Sequence, residues 1–432
     1  MVKWSYADPK MAEQSERVLQ MLLHHGYEAY WVGGCVRDEL IGRPVHDMDL
    51  TTSALPEQMV ELFEHTVPTG ISHGTITVLL HGYAFEVTTF RIDGTYENHR
   101  RPEEVTFVKS VVEDLRRRDF TMNAIARDTR GRYLDPFAGQ QDVERGIIRC
   151  VGDPEERFEE DALRMVRCIR FASVFDYRVM HNTWKGLLNK RDKLSFVAME
   201  RIRVELEKVI AGAHPLKGLE LLGRSKLLTY AKAAVDCSRF NRMLVRHMDR
   251  IPSVEVHLRW TLLLYSGHFS VAEAEQCLRN WTFTKQDKEQ ICDILKLDEE
   301  IKELINILEA NDIGNPDLMK KQRVQWMSLV LKFGIVTAKR WIELHTLISQ
   351  DEGHEVNEWM KLCSRWNTEM NAFHLKELDI TGREVMALSG RAAGPWLGQM
   401  LNHLLLQVAV GVISNHKESL IREVERVDNN HG

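Results

Sequence analysis

A change in the hydrophobic pattern near residue 150 constrains the fold of this chain more than any other feature. Before it, short β-prone runs alternate with helical segments and hold many of the glycines. After about residue 155, amphipathic segments of helical periodicity follow one another and strand patterns become rare. The pattern predicts an α/β N-terminal domain joined to an all-α remainder. The predicted helical segments are 155–175, 198–211, 216–231, 271–281, 285–309, 321–348, 353–372 and 394–427.

Composition excludes several classes of protein. The seven cysteines are scattered and form no CxxC motif, so we expect neither a disulfide scaffold nor a thiolate zinc site, and a reducing cytoplasm fits. The first residues do not resemble a signal peptide, and the most apolar late stretch, 401–414, is too short to span a bilayer. We therefore expect a cytoplasmic protein without membrane contact. The net charge of −6 does not exclude RNA binding, since RNA is held by local patches.

A glycine pair marks the first candidate site. The β-prone run 28–32 is followed by Gly33 and Gly34 and then by a predicted helix over 36–41. Glycines between a strand and a helix let backbone N–H groups approach an anion, and Arg37 could hold a phosphate one turn later. A plain turn explains the pair equally well. Because no GxGxxG motif is present, a dinucleotide-binding fold is not favoured.

Two aspartates mark the second candidate site. In a strand over 46–51, Asp47 and Asp49 share one face while Met48 and Leu50 face the core. Two adjacent carboxylates repel each other unless a cation lies between them, and oxygen ligands of this kind suit Mg²⁺. The alternative is an exposed strand end with two solvated carboxylates.

A third carboxylate strengthens the metal interpretation. Strands over 74–80 and 83–90 flank His81-Gly82, a two-residue hairpin turn. Glu86 lies between the apolar Phe85 and Val87, and beside the aspartates it would complete a catalytic site for two metal ions. The alternative is a Glu on the solvent face of an edge strand.

Arginines dominate two later blocks. Residues 116–118 are all arginine, and Asp119 follows them, a compact cluster that can grip triphosphate and ribose oxygens. Further on, Asp161, Arg164, Arg167 and Arg170 recur every three residues on a predicted helix. The alternative is an amphipathic helix with a purely structural role and salt bridges such as Glu160–Arg164. Residues 160–210 hold 11 Lys/Arg against 7 Asp/Glu, which favours a polyanionic partner.

Five motifs in order give the chain a family resemblance. They are GGCVRDELIGRPVHDMDLTT, RRDFTMNAIA, DPFAG, EEDALRMVRCIRFAS and ERIRVELEKVI. The chain resembles the class II CCA-adding tRNA nucleotidyltransferases, whose head is shared with bacterial poly(A) polymerases. The resemblance implies a polymerase-β-like head with a mixed sheet over 1–145, then a helical neck (146–210), body (211–330) and tail (331–432).

The same resemblance implies the reaction and its residues. CTP and ATP would supply C, C and A to the tRNA 3′ end, with Mg²⁺ on Asp47 and Asp49. Asp161 and Arg164 would read the base, because a carboxylate and a guanidinium match the amine and ring nitrogen of cytosine and adenine but not of uracil and guanine. The resemblance leaves open whether the chain forms a homodimer. The remaining nucleotide contacts fall on Gly34, Arg37, Arg118, Asp119, Arg167 and Arg170, and Arg203 and Glu205 would brace the neck.

Three functions compete at this stage. A poly(A) polymerase, or a CC- or A-adding enzyme, is the alternative to CCA addition, and a non-catalytic RNA-binding protein is the remote one. Poly(A) polymerases of this family tend to carry an Arg-Arg-Phe stretch where this chain reads VPTGISHGTITV. The polar segment 91–101 is predicted to be an exposed, mobile loop. CCA-adding enzymes keep a loop here that CC-adding relatives lack, so its presence favours full CCA addition.

Overall fold

The computed structural model describes residues 2–94, 96–97, 101–102, 105–307, 316–349 and 354–429. The chain divides into two compact units, Met1–Arg239 and Phe240–Gly432. The first combines a sheet with helices, and the described part of the second is helical, so the predicted fold class is confirmed. The predicted head and neck both lie in the first unit, and the predicted body (211–330) crosses the unit boundary. The four-part division stays a prediction.

A mixed sheet forms the centre of the first unit. Within the described ranges, seven strands pair in the order β11-β10-β1-β2-β5-β4-β3. The β2–β5 pair is parallel and the other five pairs are antiparallel. The strands of the described residues are β1 (Ala29–Val32), β2 (Leu50–Thr52), β3 (Thr66–Gly70), β4 (Thr75–Leu80), β5 (Tyr83–Thr89), β6 (Arg91–Asp93), β7 (Tyr96–Glu97), β8 (Arg101–Pro102), β9 (Val105–Phe107), β10 (Ala126–Arg127), β11 (Tyr133–Leu134), β12 (Ile147–Ile148) and β13 (Arg178–Val179).

The predicted hairpin is confirmed. β4 and β5 pair from Thr75 to Leu80, and the turn residues His81 and Gly82 have φ values of 48° and 85°. Positive φ at both positions is the signature of the turn that matches strand twist. Phe85 and Val87 face the core at 1% and 0% exposure, whereas Glu86 between them is exposed.

The segment predicted as a loop contains regular structure at its base. β6 pairs with β9 in an antiparallel register, and β7 pairs with β8. The prediction of a loop over 91–101 is therefore wrong for residues 91–93, 96–97 and 101, because their backbones pair in strands. Residues 95 and 98–100 of this segment lie outside the described residues.

Helices cover the sheet and continue beyond it. The predicted helix over 155–175 is wrong in one respect, because it breaks at Asp161, whose backbone is extended (φ −135°, ψ 103°). The Asp161 carboxylate accepts the N–H of Leu163, the first residue of the second helix, at 3.1 Å, a local hydrogen bond that competes with continuing the first helix. The helices of the first unit are α1 (Pro9–His24), α2 (Gly34–Ile41), α3 (Pro56–Leu62), α4 (Val111–Arg116), α5 (Gly139–Arg145), α6 (Pro154–Glu160), α7 (Leu163–Val174), α8 (His181–Asn189), α9 (Met199–Ile210) and α10 (Pro215–Ser225).

The second unit has its own apolar core, which includes Val385, Leu404 and Leu420. Two predicted helices are each split here. Gly334, with φ +87°, separates one pair, and the turn after Ala409 separates the other. No described helix has the length and apolar character needed to cross a membrane. The helices are α11 (Arg242–Val245), α12 (Val256–Ser266), α13 (Val271–Asn280), α14 (Lys285–Ile307), α15 (Pro316–Phe333), α16 (Ile335–Ser349), α17 (His354–Glu369), α18 (Gly382–Ser389), α19 (Pro395–Ala409) and α20 (Lys417–Asn429).

Candidate active site

The glycine turn between β1 and α2 lies against the carboxylates and the arginine block. Gly33 has φ +77°, and a Cβ added there would lie 3.1 Å from Arg118 Nη1 and 3.9 Å from Asp49 Oδ2. Both the backbone conformation and the close approach therefore require glycine. Gly34 begins α2, and a Cβ on it would lie 3.7 Å from Arg37 Nη2. The structure thus brings 33–37, Asp49 and Arg118 together.

The two aspartates share one face, although β2 is shorter than predicted and begins only at Leu50. Met48 and Leu50 are buried at 2% and 1% exposure, Asp47 is exposed and Asp49 is partly buried. The predicted alternation is therefore confirmed. It holds without full pairing because the core side chains on either side of Asp49 fix the direction of each carboxylate.

Glu86 lies on the same face of the sheet as Asp49. Leu50 pairs with Val87 in the parallel β2–β5 register, so the residues before them, Asp49 and Glu86, are neighbours that both point away from the core. The pKa of the Asp49 carboxyl is raised to about 6, chiefly by burial and also by the charges of Asp47 and Glu86, while Arg118 and Arg37 oppose this shift.

The acidic face consists of the carboxylate pair Asp47 and Asp49 with Glu86 beside it, and these described carboxylates do not surround a metal position. No group of three or more His, Cys, Asp or Glu side chains among the described residues is arranged to hold a metal ion. Glu86 therefore contributes charge to the Asp49 environment, and its role as a direct ligand stays a prediction.

Asp119 is a buried anchor for the arginines. Its Oδ2 accepts hydrogen bonds from Arg167 Nε and Nη2 at 2.9 and 2.6 Å. Its Oδ1 accepts from Asn123 Nδ2 at 2.9 Å, and Asn123 Oδ1 in turn accepts from Arg37 Nη1 at 2.6 Å. Burial raises the pKa of Asp119, but the charge of Arg167 and the hydrogen bonds outweigh it and hold this pKa well below its usual range.

A second buried carboxylate holds the next arginine of the row. Arg170 Nε lies 2.6 Å from Glu205 Oε2, and Arg167 Nη1 lies 3.9 Å from Glu205 Oε1. Arg170 and Arg37 both lie over the ring of Phe171, at 3.9 and 5.2 Å from its centroid. Burial lowers the pKa of Arg170 to about 10, so the side chain keeps its charge at neutral pH. Glu205 belongs to the motif expected to brace the neck, and it contacts the arginines directly.

Asp161 and Arg164 differ from the predicted neighbouring pair. Arg164 Nη1 donates to Glu160 Oε2 at 2.6 Å, and its Nη2 donates to the carbonyl of Arg117 at 3.0 Å. The Glu160–Arg164 salt bridge of the structural alternative is therefore present. Asp161 Oδ2 instead accepts from Arg201 Nη2 at 3.2 Å. Asp161 lies in the break between α6 and α7, and its charge still acts on Arg167.

Sequence reasoning missed two residues of this site. Asp114 is fully buried in α4 and pairs with Arg117 and Arg118. Arg201 pairs with Asp161 across 40 residues of sequence. The i,i+4 spacing of Asp114 and Arg118 was a readable signal, whereas nothing local pointed from Arg201 to Asp161.

Comparison with known proteins first defines the class. Residues 29–149 match the poly(A) polymerase head domain, residues 176–234 match the probable RNA- and SrmB-binding site of polymerase A, and residues 254–424 match the putative domain 2 of tRNA nucleotidyltransferase. The head model spans the mixed sheet and its carboxylates, so this is a polymerase-β-like nucleotidyltransferase head followed by helical regions.

Relatives matched over almost the whole chain define the family. The chain is 36% identical to the CCA-adding enzyme of Geobacillus thermodenitrificans over 94% of this chain and 95% of that protein. It is 36% identical to the CCA-adding enzyme of Lactiplantibacillus plantarum over 96% of each. The Bacillus stearothermophilus CCA-adding enzyme, crystallised with CTP, matches with a TM-score of 0.76 and 31% identity over 98% of this chain and 99% of that one. The chain belongs to the CCA-adding enzyme family of tRNA nucleotidyltransferases.

Proposed function

We propose that this chain adds C, C and A to the 3′ end of tRNA from CTP and ATP, without a template and with release of pyrophosphate. The observation that carries the proposal is the acidic face of Asp47, Asp49 and Glu86 beside the Gly33 turn and Arg118. Such a face gathers negative charge where a nucleotidyl transferase needs a cation, and it borders a row of anchored arginines that suits a polyanion.

The donor set fits Mg²⁺. Asp49 is partly buried, and its pKa is raised by burial and by the charge of Asp47. A cation bound there would therefore stabilise the ionised carboxylate. Asp47 and Asp49 would hold the ion, and Mg²⁺, when bound, supplies charge stabilisation to a transferring phosphoryl group. Arg118 and Arg37 would orient the nucleotide beside it.

Base choice is the proposed role of Asp161 and Arg164. A carboxylate accepts from the exocyclic amine of cytosine or adenine, and a guanidinium donates to the adjacent ring nitrogen. Uracil and guanine would leave acceptor facing acceptor, which a buried site rejects strongly. The Glu160 carboxylate and the Arg117 carbonyl fix the guanidinium of Arg164, and Arg201 holds Asp161. Both groups are thus constrained before a base arrives.

One experiment tests the proposal directly. The chain is incubated with tRNA lacking its last three nucleotides, with CTP alone, ATP alone and both, and the products are resolved on a sequencing gel. We expect two added nucleotides with CTP alone and three with both. A long A tract with ATP alone would instead identify a poly(A) polymerase, and no extension in any lane would identify a non-catalytic RNA-binding protein.

The segment 91–101 separates CCA from CC addition. We propose that it shifts the base-reading residues between the C and A steps, as the family resemblance implies. Deleting residues 94–100 should then leave C incorporation largely intact and stop the product at CC. Equal loss of C and A incorporation would contradict the switch and leave the segment a general structural role.

Two further proposals concern the cellular compartment and the oligomeric state. The seven cysteines, all within the described residues, form no disulfide with one another, which supports a reducing cytoplasm. A homodimer stays a prediction, and the mass of the chain in solution by light scattering would decide it.

A further inference from the structure

A buried carboxylate lies behind the nucleotide site. Asp114 has 0% exposure in α4 and is held by two arginines. Its Oδ1 accepts from Arg117 Nε at 2.9 Å, and its Oδ2 accepts from Arg118 Nη2 at 3.3 Å. Burying a carboxylate is costly unless partners compensate it, so its place here calls for an account.

The same carboxylate reaches the strand that follows the acidic face. Thr51 Oγ1 lies 3.0 Å from the carbonyl of Thr88 and 3.5 Å from Asp114 Oδ2. Thr51 comes two residues after Asp49 in β2. One oxygen of Asp114 therefore lies against both the arginine of the nucleotide site and the strand next to the acidic pair.

Among the described residues, the guanidinium of Arg118 is held at one nitrogen. Its Nη2 donates to Asp114, whereas its Nε is buried without a hydrogen-bond partner among the described residues. Its Nη1 lies beside the Gly33 turn, and its charge acts on Asp49. A guanidinium fixed at one nitrogen keeps the direction of its other donors, which lowers the entropy lost when a ligand binds.

We infer that Asp114 is a positioning residue for nucleotide binding, which holds Arg118 in the orientation that receives the incoming nucleotide and ties it to the strand after Asp49. The inference rests on the proposed function. Asp114 is fully buried, so its effect on a nucleotide would pass through Arg118 and not through direct contact. Asp142, which is 3% exposed and accepts a hydrogen bond from Arg149 Nε at 2.9 Å, offers a matched control, because its loss removes a buried ion pair of the same unit that does not include Arg118.

A double-mutant cycle tests this inference. Asp114→Asn should raise the KM for CTP and for ATP about tenfold, with a smaller change in kcat, because binding and not chemistry loses an oriented donor. Arg118→Lys should raise both KM values by a similar factor. The KM values of the double variant should be no higher than those of the single variant with the larger increase. Asp142→Asn should lower the melting temperature as Asp114→Asn does but leave both KM values near normal. The dissociation constant of CTP by calorimetry gives the same comparison without turnover.

The outcomes are distinct. Additive effects of Asp114→Asn and Arg118→Lys, or equal KM changes in Asp114→Asn and Asp142→Asn, would overturn the inference and leave Asp114 a structural role. Should Asp114→Asn fail to fold, Asp114→Glu keeps the charge and enters the same cycle. An unmutated chain that fails to extend tRNA would instead refute the proposed function, while calorimetry with CTP would still report on Asp114.

Discussion

The acidic face of the sheet and the arginine row of α7 differ in whether their charges are compensated within the protein. Asp49 lies next to two other carboxylates, Asp47 and Glu86, and its pKa is raised. Each arginine of the row has a nearby carboxylate within the protein, and the pKa of Asp119 is depressed by such a pair. The acidic face is therefore held at a cost to folding that a cation relieves, whereas the arginine row is part of what holds α7 to the sheet domain. Function and stability should separate at the first region and coincide at the second.

The largest expected effect is on the acidic face. Asp49→Asn should lower incorporation of both nucleotides by about a thousandfold or more, because several kcal/mol of charge stabilisation at the phosphoryl group are lost. Its melting temperature should stay equal or rise, since a buried like-charge repulsion is removed. Incorporation is followed with labelled CTP and unfolding by circular dichroism. Asp47→Ala should behave alike, and Glu64→Gln, an exposed carboxylate of the same unit, is the control. Near-normal turnover with Mg²⁺ would refute the metal assignment.

The second prediction concerns the arginine row. Asp119→Asn should lower both activity and the free energy of unfolding, the latter by about 2 kcal/mol, because Arg167 loses its buried counter-charge. Chemical denaturation and incorporation are measured on the same preparation. Loss of activity at full stability would mean that the two regions do not differ as described.

The pH dependence of this variant follows from the same pair. Because the pKa of Asp119 is depressed in the folded chain, its contribution to stability is present above the ordinary carboxyl pKa and is lost only as pH falls through the folded value. The stability difference between the natural chain and Asp119→Asn should therefore be constant from pH 8 to about 5 and shrink only at more acidic pH. A difference that disappears already near pH 6 would contradict the ion pair.

A smaller effect is expected for base choice. Asp161→Ala should raise incorporation of UTP relative to CTP by about tenfold, since an acceptor that rejects the uracil carbonyl is removed. Arg201→Lys, which keeps the charge but loses the fork, should relax the same preference less. Competition assays with paired nucleotides measure both ratios. A variant that slows all nucleotides while keeping the original preference would argue against base reading by this residue.

The smallest effect is expected for the basic surface of residues 160–210. The logarithm of tRNA affinity should fall linearly with the logarithm of salt, since phosphate contacts release counterions. Arg178, Lys185 and Lys208 are exposed, and replacing one that contacts phosphate by Gln should lower the slope by about one unit. Lys285, exposed in the second unit, is the control. A flat response to salt would mean that this surface does not hold the RNA backbone.

Features read correctly from the sequence depend on near neighbours. The shared face of Asp47 and Asp49 follows from a two-residue period with Met48 and Leu50 as core anchors, and the His81-Gly82 turn follows from its flanking strands. These patterns are local because the backbone geometry of a strand and of a tight turn is set within a few residues. The family resemblance, carried by contiguous motifs, extended the same local reading to fold and function.

Only the tertiary structure decided which charges pair. Arg167 meets Asp119 across 48 residues, Asp161 meets Arg201 across 40, and Arg118 comes to lie against Gly33 through the packing of α4 on the sheet. The period of three in 161–170 predicted one continuous helix, but α6 ends at Glu160 and the Asp161 carboxylate accepts the N–H of Leu163, where α7 begins. A buried charge takes whichever counter-charge the packed chain brings within hydrogen-bond distance, and that choice depends on the whole core and not on spacing along the sequence.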